Sequence, residues 1–342
     1  MTPGAASRVA NDAPQPARVI DAVRRGLGLS DTTPVSLSEV EEFSNINYVY
    51  RAEVPGRTLY IKVVPERGKR FPASLPRERV FSEAEGLRRF RRLAGDTILI
   101  PEVLFVDTEE MALGMSDVGE GRQVLFSLLT QHFELLGEAA DVLGYALGCI
   151  HGGTRGSGPL RPAMEEAMIR KIIFDGLLAP GARHVFPELW DSLSTEMQAH
   201  KECLIHGDLW TKNLLVQHGE RIALVDFEGV CYGDPAFDLG TLIAAALLPA
   251  LDGPVPVADA LEFTARLLGA WASATGSDAW FLEVQPRTFR ATGCFLAARG
   301  FGPFAYSISE RGRDRTASLA RSLAAAPPQD LEAFSSILIA KH

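Results

Sequence analysis

The period of the apolar residues changes once along this chain, and that change limits the folds open to it. Residues 46–53 and 59–64 are rich in β-branched and aromatic side chains, with Pro55-Gly56 between them, the pattern of a β-hairpin. Over residues 77–93 the spacing lengthens. Val80, Ala84, Leu87 and then Phe90 or Arg91 recur three or four apart with charges between them, which predicts an amphipathic helix. Short apolar runs at 103–106 and 111–115 predict two further strands. Past a polar, glycine-containing stretch at 116–121, helical spacing dominates. Leu135, Ala139, Val142, Leu143, Ala146, Leu147 and Ile150 line one helix that stops at Gly152-Gly153; Val257, Leu261, Thr264, Leu268 and Trp271 line another. The expected class is α+β, a small N-terminal sheet lobe followed by a larger, mostly helical C-terminal lobe.

Composition narrows the partners. The 342 residues carry 34 Lys+Arg against 43 Asp+Glu, a formal charge of −9. That balance, with no basic run to offset it, argues against nucleic acid or an anionic membrane surface as the main partner. Residues 1–18 lack the uninterrupted apolar stretch of a secretory signal and read as a disordered Ala/Pro lead-in. The longest apolar run, around Leu242 to Leu251, is too short to span a bilayer. Cys149, Cys203, Cys231 and Cys294 lie far apart without CxxC pairing, so free thiols in a reducing, cytoplasmic setting are expected.

The chemistry concentrates in residues 203–242, where polar groups interrupt an apolar segment more often than a core element needs. The skeleton is His206-Gly207-Asp208, Asn213, Asp226-Phe227-Glu228, Gly233-Asp234-Pro235 and Asp238. Two strand-like runs, 214–216 and 222–225, flank a turn at 217–220, so Asn213 and Asp226 are expected at opposite ends of a hairpin beside Asp208. Phosphoryl transfer calls for this set. It asks for positioning and charge stabilisation more than covalent chemistry. Asp208 can orient an acceptor hydroxyl and take its proton. Asn213 and Asp226 are hard oxygen donors able to hold Mg²⁺ against phosphates. Lys62, in a strand, can hold the α/β-phosphates, with Glu83 as its helix-borne partner and Glu85 as the second choice.

HGDLWTKN, LVDFE and YGDPAFDLG resemble the signature of the aminoglycoside phosphotransferase-like small-molecule kinases, and the resemblance runs over roughly residues 35–325. FSNINYVYRAE, ASLPRERVFSEAEGL and TGCFLAARG are similar in places to methylthioribose kinases. Those usually carry a serine where Asn213 stands, and a pair of adjacent arginines where this chain has Ala298-Arg299. The resemblance implies a bilobal protein-kinase-like fold with a nucleotide-binding N-lobe at 19–117, a catalytic and acceptor-binding C-lobe at 118–330 and a tail at 331–342. It implies Asp208 as catalytic base, Asn213 and Asp226 as Mg²⁺ ligands, and Lys62 as the phosphate-binding lysine. Ser44, Asn45 and Asn47 fall in its nucleotide loop, and Met115, Asp117 and Val118 at the hinge where the base of ATP or GTP is expected.

For the remaining residues a structural role competes. His206 is expected to hydrogen-bond within the loop rather than act as base, Asp238 to anchor the catalytic loop or cap a helix, and His151 to pack or cap. Arg287, Arg290 and Arg299 lie where the family forms its acceptor pocket, although arginine is more often a surface residue; Arg299 matches one of the methylthioribose-kinase pair. Eight positions separate Asp226 from Asp234, which leaves no room for the long activation loop of a protein kinase. The expected activity is therefore phosphorylation of a hydroxyl on a small sugar-bearing molecule. An antibiotic met by a resistance or tailoring kinase is the first reading and a methylthioribose-like sugar in salvage the second. A catalytically silent nucleotide-binding scaffold is the rival from another class.

Overall fold

A computed structural model describes residues 13–40, 46–69, 74–128, 132–219 and 221–341. The chain divides into two compact units. The first holds the described residues up to Arg91 together with Ile100–Glu120, and the second holds Arg92–Leu99 and the residues from Gly121 onward.

The first unit is a five-stranded antiparallel sheet with two helices. Its strands are β1 (Ser36–Glu39), β2 (Tyr48–Val54), β3 (Arg57–Val63), β4 (Val103–Asp107) and β5 (Ala112–Ser116), in the order β1-β2-β3-β5-β4. Strand β2 pairs with β3 from Tyr48↔Val63 to Val54↔Arg57, the hairpin expected around Pro55-Gly56. Helix α1 (Pro16–Leu27) packs Val19 and Val23 with Tyr48, Tyr50, Leu59, Ile61 and Val63 in one core. Successive strand residues point to opposite faces, so Lys62 projects away from that core. Helix α2 (Arg79–Ala94) buries Val80, Ala84, Leu87 and Phe90.

Two features of this unit depart from the sequence reading. The boundary at residue 18 falls inside α1, which opens with proline in its first turn and closes on Gly28 in the left-handed region. Strand β1 was not expected, because three of its four residues are polar.

The second unit is helical around two small sheets. Strands β6 (Gln123–Val124), β8 (Leu214–Val216) and β9 (Ala223–Leu224) form one; β7 (Cys203–Ile205) and β10 (Cys231–Gly233) form the other. Leu99 ties its segment to β9 by exchanging backbone hydrogen bonds with Ile222 and Leu224. Helices α3 (Phe133–Thr154), α4 (Pro162–Met168), α5 (Ala179–Val185), α6 (Pro187–Ala199) and α7 (Ala236–Asp252) precede α8 (Val257–Thr275), α9 (Asp278–Phe301), α10 (Glu310–Ala325) and α11 (Leu331–Lys341), with a π-helical stretch at Ile169–Leu178. Helix α7 is buried from Ala236 to Leu251, as its all-round apolar sequence requires. Helices α3 and α8 touch backbone to backbone: a Cβ on Gly144 would lie 2.3 Å from the Leu267 carbonyl oxygen, and one on Gly148 2.7 Å from that of Trp271. The stretch read as a tail is helix α11, which buries Phe334 and Leu338. No described helix is long and apolar enough to cross a membrane.

Candidate functional site

In the first unit, Lys62 and Glu83 form a buried ion pair with Nζ 2.5 Å from Oε1, the two side chains 4% and 3% exposed. The alternation of β3 sends Lys62 toward α2, and Glu83 sits one turn into that helix to receive it. Glu85 instead pairs with Arg89 at 2.8 Å on the surface, so it does not compete for the lysine. Charges this deep persist only when matched to each other.

In the second unit, the loop after β7 is shaped by a carboxylate and a glycine. Asp238, in the first turn of α7, accepts hydrogen bonds from the backbone N–H groups of His206 (2.8 Å) and Gly207 (3.0 Å). Its Oδ2 also meets His151 Nε2 at 3.2 Å, and Trp271 Nε1 donates to His151 Nδ1 at 2.9 Å. Indole nitrogen can only donate, so Nδ1 is the acceptor and the ring proton stays on Nε2, facing Asp238. Burial alone would raise the Asp238 carboxyl, but the hydrogen bonds it accepts from the His151 ring and the His206 backbone hold it below the usual carboxylate range. Gly207 has φ +80, and a Cβ there would lie 2.1 Å from the Gly229 carbonyl oxygen. Only glycine fits.

That loop delivers Asp208 to Asn213. The Asn213 amide nitrogen lies 2.8 Å from the Asp208 carbonyl oxygen and 3.2 Å from Oδ2. Both partners are acceptors, so Nδ2 must face them, and Oδ1 is the atom left for another electrophile. A 3-10 turn at Thr211–Asn213 sets this placement, with Asn213 N–H donating to the Trp210 carbonyl. Val225 N–H donates to the Asn213 carbonyl at 3.0 Å, which brings Asp226 alongside. Asp226 has φ 65, one of two non-glycine residues with positive φ among those described. Strain of this kind persists where the surrounding structure over-determines it, as functional sites do. His206 spends both ring nitrogens on structure, Nε2 toward the Val225 carbonyl (3.1 Å) and Nδ1 toward Asp208 N–H (3.4 Å).

Arg299, in the last turn of α9, places Nη2 3.5 Å from Asp208 Oδ1 and is 8% exposed. Its guanidinium lies 4.3 Å from the Trp210 ring centroid. Burial raises the Asp208 carboxyl above its ordinary range; the Arg299 charge opposes this and Asp226 adds to it.

Other expected residues lie elsewhere or do other work. Ser44 and Asn45 fall outside the described residues. Asn47 is buried in the scaffold of the first unit, its Oδ1 accepting from Arg79 at 3.0 Å. Met115 is buried in β5 opposite Tyr60, and Asp117 Oδ1 accepts from Gly119 N–H at 2.7 Å, a tight turn that contains Val118. Arg287 is held by Glu202 (2.6 Å) and Asp234 (2.8 Å), and Arg290 pairs with Glu196. These two are structural rather than lining a pocket beside Asp208. The acid that draws Arg287 in, Glu202, carries no motif that would have announced it.

Comparison with known proteins gives the family and the fold. Residues 39–276 match the phosphotransferase enzyme family (APH). A 4-hydroxytryptamine kinase of Psilocybe cyanescens is 27% identical over 174 residues, 45% of this chain and 48% of that protein, so the chain spans about half the length of the curated relative it matches. Among solved structures, a microcompartment-associated aminopropanol kinase superposes with a TM-score of 0.52 at 16% identity, covering 90% of this chain and 95% of the other. The aminoglycoside phosphotransferase APH(4)-Ia does so with a TM-score of 0.50 at 14% identity, covering 91% and 99%. With more than half of its length matched, the chain belongs to the phosphotransferase enzyme family.

Proposed function

We propose that the protein transfers the γ-phosphoryl group of ATP or GTP to a hydroxyl of a small, sugar-bearing molecule. The observation that carries this reading is the hydrogen-bonded placement of Asp208 against Asn213, with Asp226 beside them. In this reading Asp208 accepts the acceptor's proton as its oxygen forms a bond to the γ-phosphorus; the bond from that phosphorus to the β–γ bridging oxygen breaks, and the nucleoside diphosphate leaves with that electron pair. Lys62, held by Glu83, steadies the α/β-phosphates.

The donor set fits Mg²⁺. Asn213 has only Oδ1 left to offer, and Asp226 adds a carboxylate, two hard oxygens of the kind magnesium takes alongside phosphate and water. No cluster of three or more His, Cys, Asp or Glu side chains able to hold a metal occurs among the described residues, which suits a cation that phosphates help to bind. When bound, it would neutralise charge on the transferring group.

A relative named for 4-hydroxytryptamine supports a small hydroxyl-bearing acceptor. A sugar-bearing antibiotic, with the protein acting in resistance or tailoring, is the first acceptor reading. Arg299 beside Asp208 favours the second, a methylthioribose-like sugar, because a polycationic acceptor would be repelled there. The test is a screen of nucleotide consumption over aminoglycosides, nucleoside antibiotics and sugars, with the product's mass read for one added phosphoryl group. A product with Mg²⁺ and none after chelation is expected; no nucleotide binding and no product would sink the reading.

A further inference from the structure

Seven described side chains hold a buried polar atom with no close hydrogen-bond partner, and three of them meet beside Asp208: Nε of Arg299 and the hydroxyls of Tyr306 and Thr211, which face only each other. The others, on Arg79, Ser82, Arg290 and Thr316, are spread over α2, α9 and α10. An unmet buried donor or acceptor is costly, so an arginine Nε left unmet beside two hydroxyls that meet only each other asks for a reason.

Their surroundings supply one. Arg299 covers the Trp210 ring; Tyr306 meets Trp210 edge-on at 5.3 Å and Phe126 at 4.8 Å. Lys212 Nζ lies 4.8 Å over Phe126. The segment between α9 and α10 folds back to make this possible, with Tyr306 N–H donating to the Arg299 carbonyl at 2.7 Å. Burial raises the Tyr306 hydroxyl well above its ordinary range, so it stays a neutral donor. Three rings, two cations and two hydroxyls thus gather at the carboxylate expected to activate the acceptor. Among the described residues, the carboxylate this cluster meets is that of Asp208.

We infer that Phe126, Trp210, Thr211, Arg299 and Tyr306 form the acceptor's recognition site, and that it takes a ring-bearing alcohol carrying an anionic group. This rests on the phosphotransferase reading and names the substrate class for it. Phe126 and Tyr306 are partly exposed and offer apolar ring surface to a ring, while Trp210 is buried beneath them and holds Arg299 in place. Arg299 Nε and the Tyr306 hydroxyl supply donors for a carboxylate or phosphate oxygen, bonds stronger than those to a neutral group. An ammonium in their place would face Arg299 and Lys212.

Three probes of one shape test it: methyl glucoside, methyl glucuronate glycoside and methyl glucosaminide, which are neutral, anionic and cationic. Binding is read by calorimetry without nucleotide, and phosphorylation by nucleotide consumption. The glucuronate is expected to bind about tenfold more tightly than the neutral glycoside, the worth of one charge-assisted hydrogen bond, and the glucosaminide most weakly. Arg299→Met should erase the preference for the anion. Tyr306→Phe should raise the acceptor KM about tenfold with kcat within about twofold, a split that a purely structural tyrosine would not give. Equal binding of all three, no binding of any, or preference for the cation overturns the site. If the glucuronate binds selectively but nucleotide neither binds nor is consumed with any probe, the anion site stands and the phosphotransferase reading falls. If nucleotide is consumed without charge preference, the reverse holds.

Discussion

Arg299 holds its guanidinium 3.5 Å from the carboxylate of Asp208, where its charge opposes the effect of burial on that carboxyl. Burial raises the Asp208 carboxyl and Arg299 lowers it. A base works in its charged form, so activity should fall as pH drops through this raised value. Arg299→Met removes a lowering influence and should therefore move the acid limb of kcat/KM to higher pH. A pH profile with the limb unmoved, or moved downward, would show that Arg299 does not tune this carboxylate. Asp208→Asn should reduce turnover about a thousandfold at any pH.

The buried Lys62–Glu83 pair should behave asymmetrically. Lys62→Met strands a carboxylate 2% exposed, which should cost about 3–5 kcal/mol in urea denaturation. The double variant Lys62→Met/Glu83→Leu should recover much of that stability and none of the activity. Recovery of turnover along with stability would mean the lysine serves the fold alone.

Asp238 receives three donors, and Asp238→Asn would aim an amide N–H at one of them. A loss of about 3 kcal/mol is expected. The sign of its pH dependence follows from its lowered carboxyl. The unfolded chain takes up protons first as pH falls, so the Asp238 contribution is complete above about pH 4 and is lost below it. Urea midpoints measured from about pH 7 to about pH 3 should therefore fall less steeply for the variant than for the native chain.

Gly207→Ala combines a positive φ with a 2.1 Å clash against the Gly229 carbonyl. Thermal unfolding should show a loss of about 3 kcal/mol, and kcat should fall about a hundredfold as the loop that carries Asp208 shifts. Native kcat in a folded variant would contradict that coupling.

What the sequence made legible was local. Asp208 and Asn213 are five positions apart, and the turn that joins them is set by those residues, so spacing alone located the loop. Lys62 and Glu83 could be paired because the kinase template asks for a strand lysine and a carboxylate on the helix that follows, with Glu85 as the second choice. Arg287 and Tyr306 could not be read this way. Their partners, Glu202, Asp234, Trp210 and Phe126, come from distant segments, and no pattern in one strand or helix records a meeting between them. Helix α1 was legible and went unread: its opening Pro16, its basic last turn and Gly28 are ordinary start and stop signals. Asn47 was placed by loop position, whereas Arg79 draws its side chain inward.

The close approach of α3 and α8 through Gly144 and Gly148 reaches further than packing. Glycine on one helix meets only backbone and alanine on the other, with no long side chain that could slide or swap rotamers, so the helices have one interlocked depth and one axial register. His151 ends one of them and Trp271 sits on the other, so that register is also the alignment of the indole with the imidazole, and through Asp238 of the loop with its aspartate. A single methyl group added at Gly148 would act as a shim between the two rods and throw that alignment off. Loss of turnover in such a variant would measure how rigidly the second unit transmits a fraction of an ångström.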